Sequence, residues 1–176
     1  MKVSILNRAP ETLYTLTYSH EATDLLLACL PDGSIVRSTF LPVGKAAQAE
    51  VISSRIADWQ KRFPETRLMP APREFKADPS RGHLAGTDFQ LKVWQELAKL
   101  QPGSITNYSA LAEATGNPSA VRATGTAVGA NPLAPFIPCH RVLTKSGGLG
   151  GFAGGLPLKI KLLDAEGITV QKSLAV

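Results

Sequence analysis

Four prolines between Pro64 and Arg81, at positions 64, 70, 72 and 79, constrain this chain more than any other feature of its sequence. Proline fixes φ and lacks the backbone N–H, so a segment this rich in it suits neither a helix interior nor an inner strand. The spacing predicts a linker. It divides the 176 residues into an N-terminal domain over 1–80, ending in the Pro-rich segment, and a C-terminal domain over 81–176. Either half can bury a usable core.

The first half reads as a small α/β unit. TLYTLTY alternates apolar and polar residues, and LLLACL-PDGS-IVRSTFL reads as two strands around a turn. In KAAQAEVISSRIADWQKRF, the residues Ile52, Ile56, Trp59 and Phe63 repeat at helical spacing and form one apolar stripe, with Trp59 in the core.

The second half reads as mainly helical. Thr87 and Gln90 have capping-box spacing, and Phe89, Val93, Leu97 and Leu100 form the expected inner face of a helix ended by Pro102-Gly103. YSALAEAT runs to Gly116, a residue suited to the left-handed position after a helix. Asn117 then reads as the cap of PSAVRATGTAVG, with Pro118 at its first position. Two helices joined by about three residues make a helix-turn-helix outline, which fits a pair of packed core helices as well as a DNA-reading pair. The second helix is nearly bare. Ala120, Ala123, Gly125, Ala127 and Gly129 leave Arg122 as its one long projecting side chain. Gly125 and the threonines weaken it, so tight packing or close approach to a nucleic-acid backbone is expected in return.

Apolar residues make up 44% of the chain and charged residues 19%, and no run approaches the roughly 18 apolar residues a membrane span needs. The opening MKVSILNRAPETLY has no apolar stretch of the secretion type, which predicts a cytoplasmic location. A net charge of +5 permits a polyanionic partner without requiring one. From Gly86 onward there are 8 basic and 5 acidic residues, so the excess is spread along the chain rather than held in a tail. His20, His83 and His140 with two distant cysteines offer no metal-site spacing. KSGGLGGFAGG fits neither nucleotide-binding fingerprint, but its glycines let backbone groups come close to a flat ligand.

The chemistry concentrates in PFIPCHRVL. Cys29, inside LLLACL, reads as an inert small hydrophobe. Cys139 stands beside His140 and Arg141, where positive charge stabilises the reactive thiolate. Pro132, Pro135 and Pro138 predict a stiff extended path, in which His140 points away from Cys139. A water or a local bend is then needed to connect them, and a carboxylate to orient the imidazole. Asp164 and Glu166 are the candidates, in LKIKLLDAEG, read as a helix with Leu158, Leu162 and Leu163 inward. A structural cysteine in a strand stays open on these features. A cysteine hydrolase is disfavoured, because adjacent Cys-His is poor dyad geometry.

PCHRV, preceded by NPLAPFI and followed by GGLGGFAGGLPLKIKLLDAEG, resembles the O6-alkylguanine-DNA alkyltransferase family. The resemblance runs from Gly86 to Gly167 and includes GSITNYSALAEATGNPSAVRATGTAVGANP, whereas 1–80 match only in length and α/β character. It implies an N-terminal ribonuclease-H-like sheet and a mainly α C-terminal winged helix-turn-helix domain. It implies direct-reversal repair: one irreversible transfer of an alkyl group from O6-alkylguanine to Cys139, with the base flipped out of double-stranded DNA.

By position, the resemblance makes His140 activate Cys139 through a water, with Glu166 orienting the imidazole and Asn131 holding the turn that shapes the site. Tyr108 would assist base extrusion and hydrogen-bond the guanine. Arg122 would fill the space the base leaves, while small residues such as Ala123 and Gly125 let the helix enter the minor groove. Val142, Phe152, Ala153 and Gly154 would line the guanine pocket, with the Cys139 and Val142 carbonyls reading the amino group and the Ala153 N–H meeting O6. Phe152 and Ala153 replace the tyrosine and serine of some relatives, which leaves alkyl size and O4-alkylthymine open. No cofactor is implied, and the ligands of zinc-binding relatives have no counterpart here. The partner is alkylated duplex DNA and the chain a monomer, with cooperative binding along DNA undecided. The rival is a module that marks alkylated DNA without repairing it, but such proteins carry another residue where this chain has Cys139.

Overall fold

The computed structural model describes residues 1–170. Two compact units divide at Ala85, the first formed by Met1–Ala85 and the second beginning at Gly86.

The first unit is built on a six-stranded mixed sheet. Its strands are β1 (Lys2–Ile5), β2 (Thr12–Ser19), β3 (Asp24–Cys29), β4 (Ser34–Phe40), β5 (Arg67–Pro70) and β6 (Asp78–Leu84), in the order β1-β6-β4-β3-β2-β5. β2, β3 and β4 form an antiparallel meander, while β1–β6, β4–β6 and β2–β5 pair in parallel. Helix α1 (Lys45–Arg62) lies against one face. Leu13, Leu26, Ala28, Val36, Leu41, Trp59 and Phe63 form the core there, with Ile52 and Ile56 half-buried at its edge. Each fully buried aliphatic side chain of this kind contributes about 1.5–3 kcal/mol.

The Pro-rich stretch corrects the linker expectation, because β5 and β6 fall within it and belong to the sheet. The prolines stand where their missing N–H does no harm. Pro64 follows the C-cap Phe63, and Pro70 ends the edge strand β5. Pro79 precedes the residues of β6 that pair with β1, starting at Arg81, and sits inside the register shift of the β4–β6 ladder between Ser34↔Asp78 and Ile35↔Gly82. Proline count alone cannot see such a bulge.

The second unit holds α2 (Asp88–Ala98), α3 (Tyr108–Ala114), α4 (Val121–Gly129) and α5 (Leu156–Ala165), with the two-residue strands β7 (Thr106–Asn107) and β8 (Val142–Leu143). The Thr87–Gln90 capping box forms at α2 as its spacing predicts. The inner face of α2 differs from the expected one: Leu91, Val93, Trp94 and Leu97 are buried, while Phe89 and Leu100 are only half-buried. Trp94 satisfies its indole by donating to the Ala127 carbonyl of α4 at 2.8 Å. Gly86 makes room for that ring, since a Cβ there would stand 2.6 Å from Trp94 Cζ3.

Gly116 takes the left-handed conformation after α3, with φ +80°. The expected start of α4 is displaced. Asn117 and Pro118 lie in a turn closed by Ala120 N–H to Asn117 O at 3.0 Å, and the helix begins at Val121 with Ala120 as N-cap. The connection from α3 to α4 therefore covers 115–120, longer than the expected turn. On α5, Lys159, Leu162 and Leu163 are buried, whereas Leu158 is half-buried.

Candidate functional site

β7 and β8 pair in parallel, Thr106 with Val142 and Asn107 with Leu143. This short ladder decides the site. It places Tyr108, the first residue of α3, beside the segment that carries Cys139. Asn107 caps α3 through its side chain, which accepts from Ala110 N–H at 2.9 Å.

The cysteine segment is not extended, which corrects the sequence expectation. Cys139–Arg141 form one 3₁₀ turn, entered through Pro138 at φ −82° and ψ 66°. The prolines stiffen the approach, and Asn131 closes it: its Nδ2 donates to Ile137 O at 2.7 Å and its Oδ1 accepts from Leu133 N–H at 3.0 Å. The turn supplies the bend that extended geometry denied.

Cys139 is 6% exposed and lines a cavity of about 380 Å³. That volume lies within the roughly 300–1,000 Å³ of ordinary small-molecule sites. Tyr108, Asn131, Phe152, Ala153 and the bare positions Gly125 and Gly129 share the wall. Val128, Ala134 and Gly151 complete it, and sequence reasoning did not single them out as pocket residues. Val142 and Gly154 are not among the lining residues: Val142 is fully buried and its carbonyl accepts from Lys159, and Gly154 follows Ala153 in the loop. Arg122 and Ala123 are exposed on α4, outside the wall.

Tyr108 is held by backbone. A Cβ on Gly150, which has φ +64°, would come within 2.9 Å of the phenol oxygen, so only glycine lets the loop pass. Burial pushes the phenol pKa up, the charge of Cys139 adds to this, and an N–H from Gly151 partly offsets both. The phenol stays a neutral donor at physiological pH.

Behind the sulfur lies a buried polar network. Glu166, the C-cap of α5, meets His140 Nε2 at 2.9 Å through Oε1. Arg141 donates to the same carboxylate twice, from Nε to Oε2 at 2.8 Å and from Nη2 to Oε1 at 2.6 Å, and its Nη1 reaches Leu100 O at 2.5 Å. Gly103 N–H adds a bond to Oε2 at 3.2 Å. Burial works to raise the Glu166 pKa, but the bonds from Arg141, His140 and Gly103 outweigh it and hold the carboxyl at about 2. Asp164 is exposed, which settles which carboxylate serves His140.

Burial lowers the His140 pKa, opposed by Glu166, so the ring is neutral at physiological pH. Donation from Nε2 to Glu166 leaves Nδ1 as the acceptor, and among the described residues this buried atom has no hydrogen-bond partner. Burial also raises the Cys139 thiol pKa. The Asn131 amide, the charge of Lys159 and the N–H groups of Cys139 and His140 pull it back. The expected cation, Arg141, is engaged by Glu166 instead.

Lys159 was missed by sequence reasoning. It is fully buried, and its Nζ donates to Val142 O at 2.6 Å and to Leu149 O. The signal was present, since Lys159 shares the face of α5 with Leu162 and Leu163. Among the described residues no group of three or more His, Cys, Asp or Glu side chains converges as a metal site.

A cysteine on a cavity wall, followed by a His–Glu pair and set after a helix pair, makes a candidate site for thiol chemistry. Residues 88–168 match the profile described as 6-O-methylguanine DNA methyltransferase, DNA binding domain. The methylated-DNA–protein-cysteine methyltransferase of Debaryomyces hansenii is 32% identical over 176 residues, covering 97% of this chain and 88% of that protein. The inducible enzyme of that name from Bacillus subtilis is 49% identical over 82 residues, 47% of this chain and 46% of that protein. The chain spans about half the length of such curated bacterial relatives. The crystal structure of Mycobacterium tuberculosis O6-methylguanine methyltransferase superposes with a TM-score of 0.62 at 30% identity, covering 93% of this chain and 95% of that one. A structure from the same organism in complex with DNA gives 0.61 at 28% identity over 88% and 92%. The chain belongs to the methylated-DNA–protein-cysteine methyltransferase family.

Proposed function

We propose that this protein repairs double-stranded DNA directly, moving the alkyl group of O6-alkylguanine onto the sulfur of Cys139. The observation that carries the reading is a sulfur on the wall of a base-sized cavity, next to a neutral imidazole held by a carboxylate. The thiol proton passes to His140 Nδ1, through a water, as Glu166 stabilises the imidazolium. The sulfur then attacks the alkyl carbon, an S–C bond forms as the C–O6 bond breaks, and the guanine leaves with the proton that the His140 imidazolium gives back through the water. No cofactor takes part. The thioether is stable, so each molecule acts once.

Asn131 and Tyr108 act in the same site, Asn131 by fixing the cysteine turn and Tyr108 by hydrogen-bonding the guanine. Phe152 and Ala153 face the base, the Ala153 N–H meets O6, the Val142 carbonyl reads the amino group, and Gly154 continues the pocket loop. The first unit is a ribonuclease-H-like domain. In the second, α3 and α4 act as a helix-turn-helix with the β8 turn as its wing. The exposed face of α4 enters the minor groove through Ala123 and Gly125, and Arg122 fills the stack once the base is flipped. The protein works as a cytoplasmic monomer. The similarity of residues 88–168 to a DNA-binding domain supports the duplex as substrate.

Incubation with a duplex containing O6-methylguanine tests this by intact mass and peptide mapping. The expected result is one added methyl group, on the peptide bearing Cys139. Loss of the lesion with the protein unmodified overturns the mechanism. Tight binding with neither changed supports the marking module instead.

A further inference from the structure

We propose that Lys159 is a positioning residue for the reacting sulfur: its ammonium ties Val142, just past the cysteine turn, to Leu149, at the head of the pocket loop, and directs a positive charge toward Cys139. The inference rests on the alkyl-transfer reading for its role in repair, but not for its chemistry at the thiol.

A fully buried ammonium is expensive unless something answers its charge. Lys159 is 0% exposed, and its bonded partners are the carbonyls of Val142 and Leu149. The charged side chains of the neighbourhood are otherwise engaged, since Glu166 is taken by Arg141 and His140. A neutral amide would serve two carbonyls as well, so the ammonium needs an anion to explain it. The anion we assign to it is the thiolate that forms at Cys139 when the thiol gives up its proton, three residues before the Val142 carbonyl that holds Lys159. Burial brings the Lys159 pKa down to about 8, and the charge of Cys139 is the influence that opposes this.

The titratable groups that feel the Lys159 charge are Cys139 and His140 on the turn, while β8 and the loop over 149–155 contribute no titratable side chain. The ammonium favours the thiolate and disfavours the imidazolium. It therefore acts most strongly once the proton has left the sulfur. The same side chain fixes geometry: releasing Val142 and Leu149 would free the strand after the cysteine and the loop carrying Gly151, Phe152 and Ala153.

The test uses the full chain and iodoacetamide, which needs no guanine. The rate of Cys139 labelling is followed by mass spectrometry across the range where thiols titrate, for the unmutated protein, Lys159→Arg and Lys159→Met. In Lys159→Met the midpoint should rise by roughly one pH unit or more, with about tenfold slower labelling below it, while Lys159→Arg keeps the original midpoint. A slower rate with an unmoved midpoint assigns Lys159 to structure alone and overturns the proposal.

If Lys159→Met does not fold, carbon-13 NMR of labelled lysines in the unmutated protein decides. Capping Cys139 should lower the Lys159 midpoint, and an unchanged midpoint overturns the proposal. A protein that shows these shifts yet leaves O6-methylguanine duplex untouched removes the repair reading and keeps the thiol–ammonium coupling.

Discussion

Each unit buries one cysteine, and the two differ in everything except burial. Cys29 ends β3 with 0% exposure, and burial pushes its thiol up to about 12, the charge of Asp32 adding to the effect. Cys139 meets the same desolvation, but the Asn131 amide, Lys159 and two backbone N–H groups oppose it. A sheet interior supplies no such counterweight, because its N–H groups are spent on the ladder. At the turn the Asn131 side-chain amide and the Lys159 charge add to the backbone N–H groups, so the opposition does not rest on the main chain alone. Burial by itself silences a thiol; aimed dipoles and a nearby charge offset part of that effect.

The largest effect that can break this comparison is all or none. Cys139→Ala should abolish alkyl uptake from O6-methylguanine duplex, measured by intact mass, and Cys29→Ala should leave the rate unchanged. Uptake by Cys139→Ala would make Cys29 the acceptor.

Next in size is the support behind the turn. Glu166→Gln should slow transfer by about 10²-fold or more, since His140 loses the group that orients and charges it. The same change should alter acid stability. Glu166 titrates at about 2 when folded against an ordinary value of 4.5. Its contribution is therefore complete above pH 4.5 and lost as pH falls toward 2. Denaturant unfolding at several pH values should show a shallower loss across that window in Glu166→Gln.

The smallest effect belongs to the quiet cysteine. Cys29→Ser places a hydroxyl in the interior of the sheet and should destabilise the protein by about 1–3 kcal/mol without touching activity. An unchanged midpoint in denaturant would mean that the site is wetter than its burial indicates.

What the sequence disclosed follows from the range of the interactions. The α1 stripe, the meander of β2 to β4, the Thr87 capping box and the Gly116 helix end are local patterns, and each forms where its spacing places it. β5 and β6 were hidden because the prolines that argue against strands sit at an edge and a bulge, positions set by partners far along the chain. The start of α4 was misplaced because Asn117 and Pro118 make an equally good turn. In the site, the choice between Asp164 and Glu166 needed the fold, since Arg141 reaches Glu166 across 25 residues. Lys159 was overlooked because a lysine between Leu158 and Ile160 reads as solvent-facing.

The cavity wall has a thermodynamic consequence. Gly125, Gly129, Ala134, Gly151 and Ala153 have no rotamers to freeze when a ligand enters. Asn131 is already pinned by two bonds, and the backbone around Gly150 and Gly151 confines Tyr108. Little side-chain entropy remains to be lost, so a smaller share of the favourable contact with a planar guest is offset by ordering the wall.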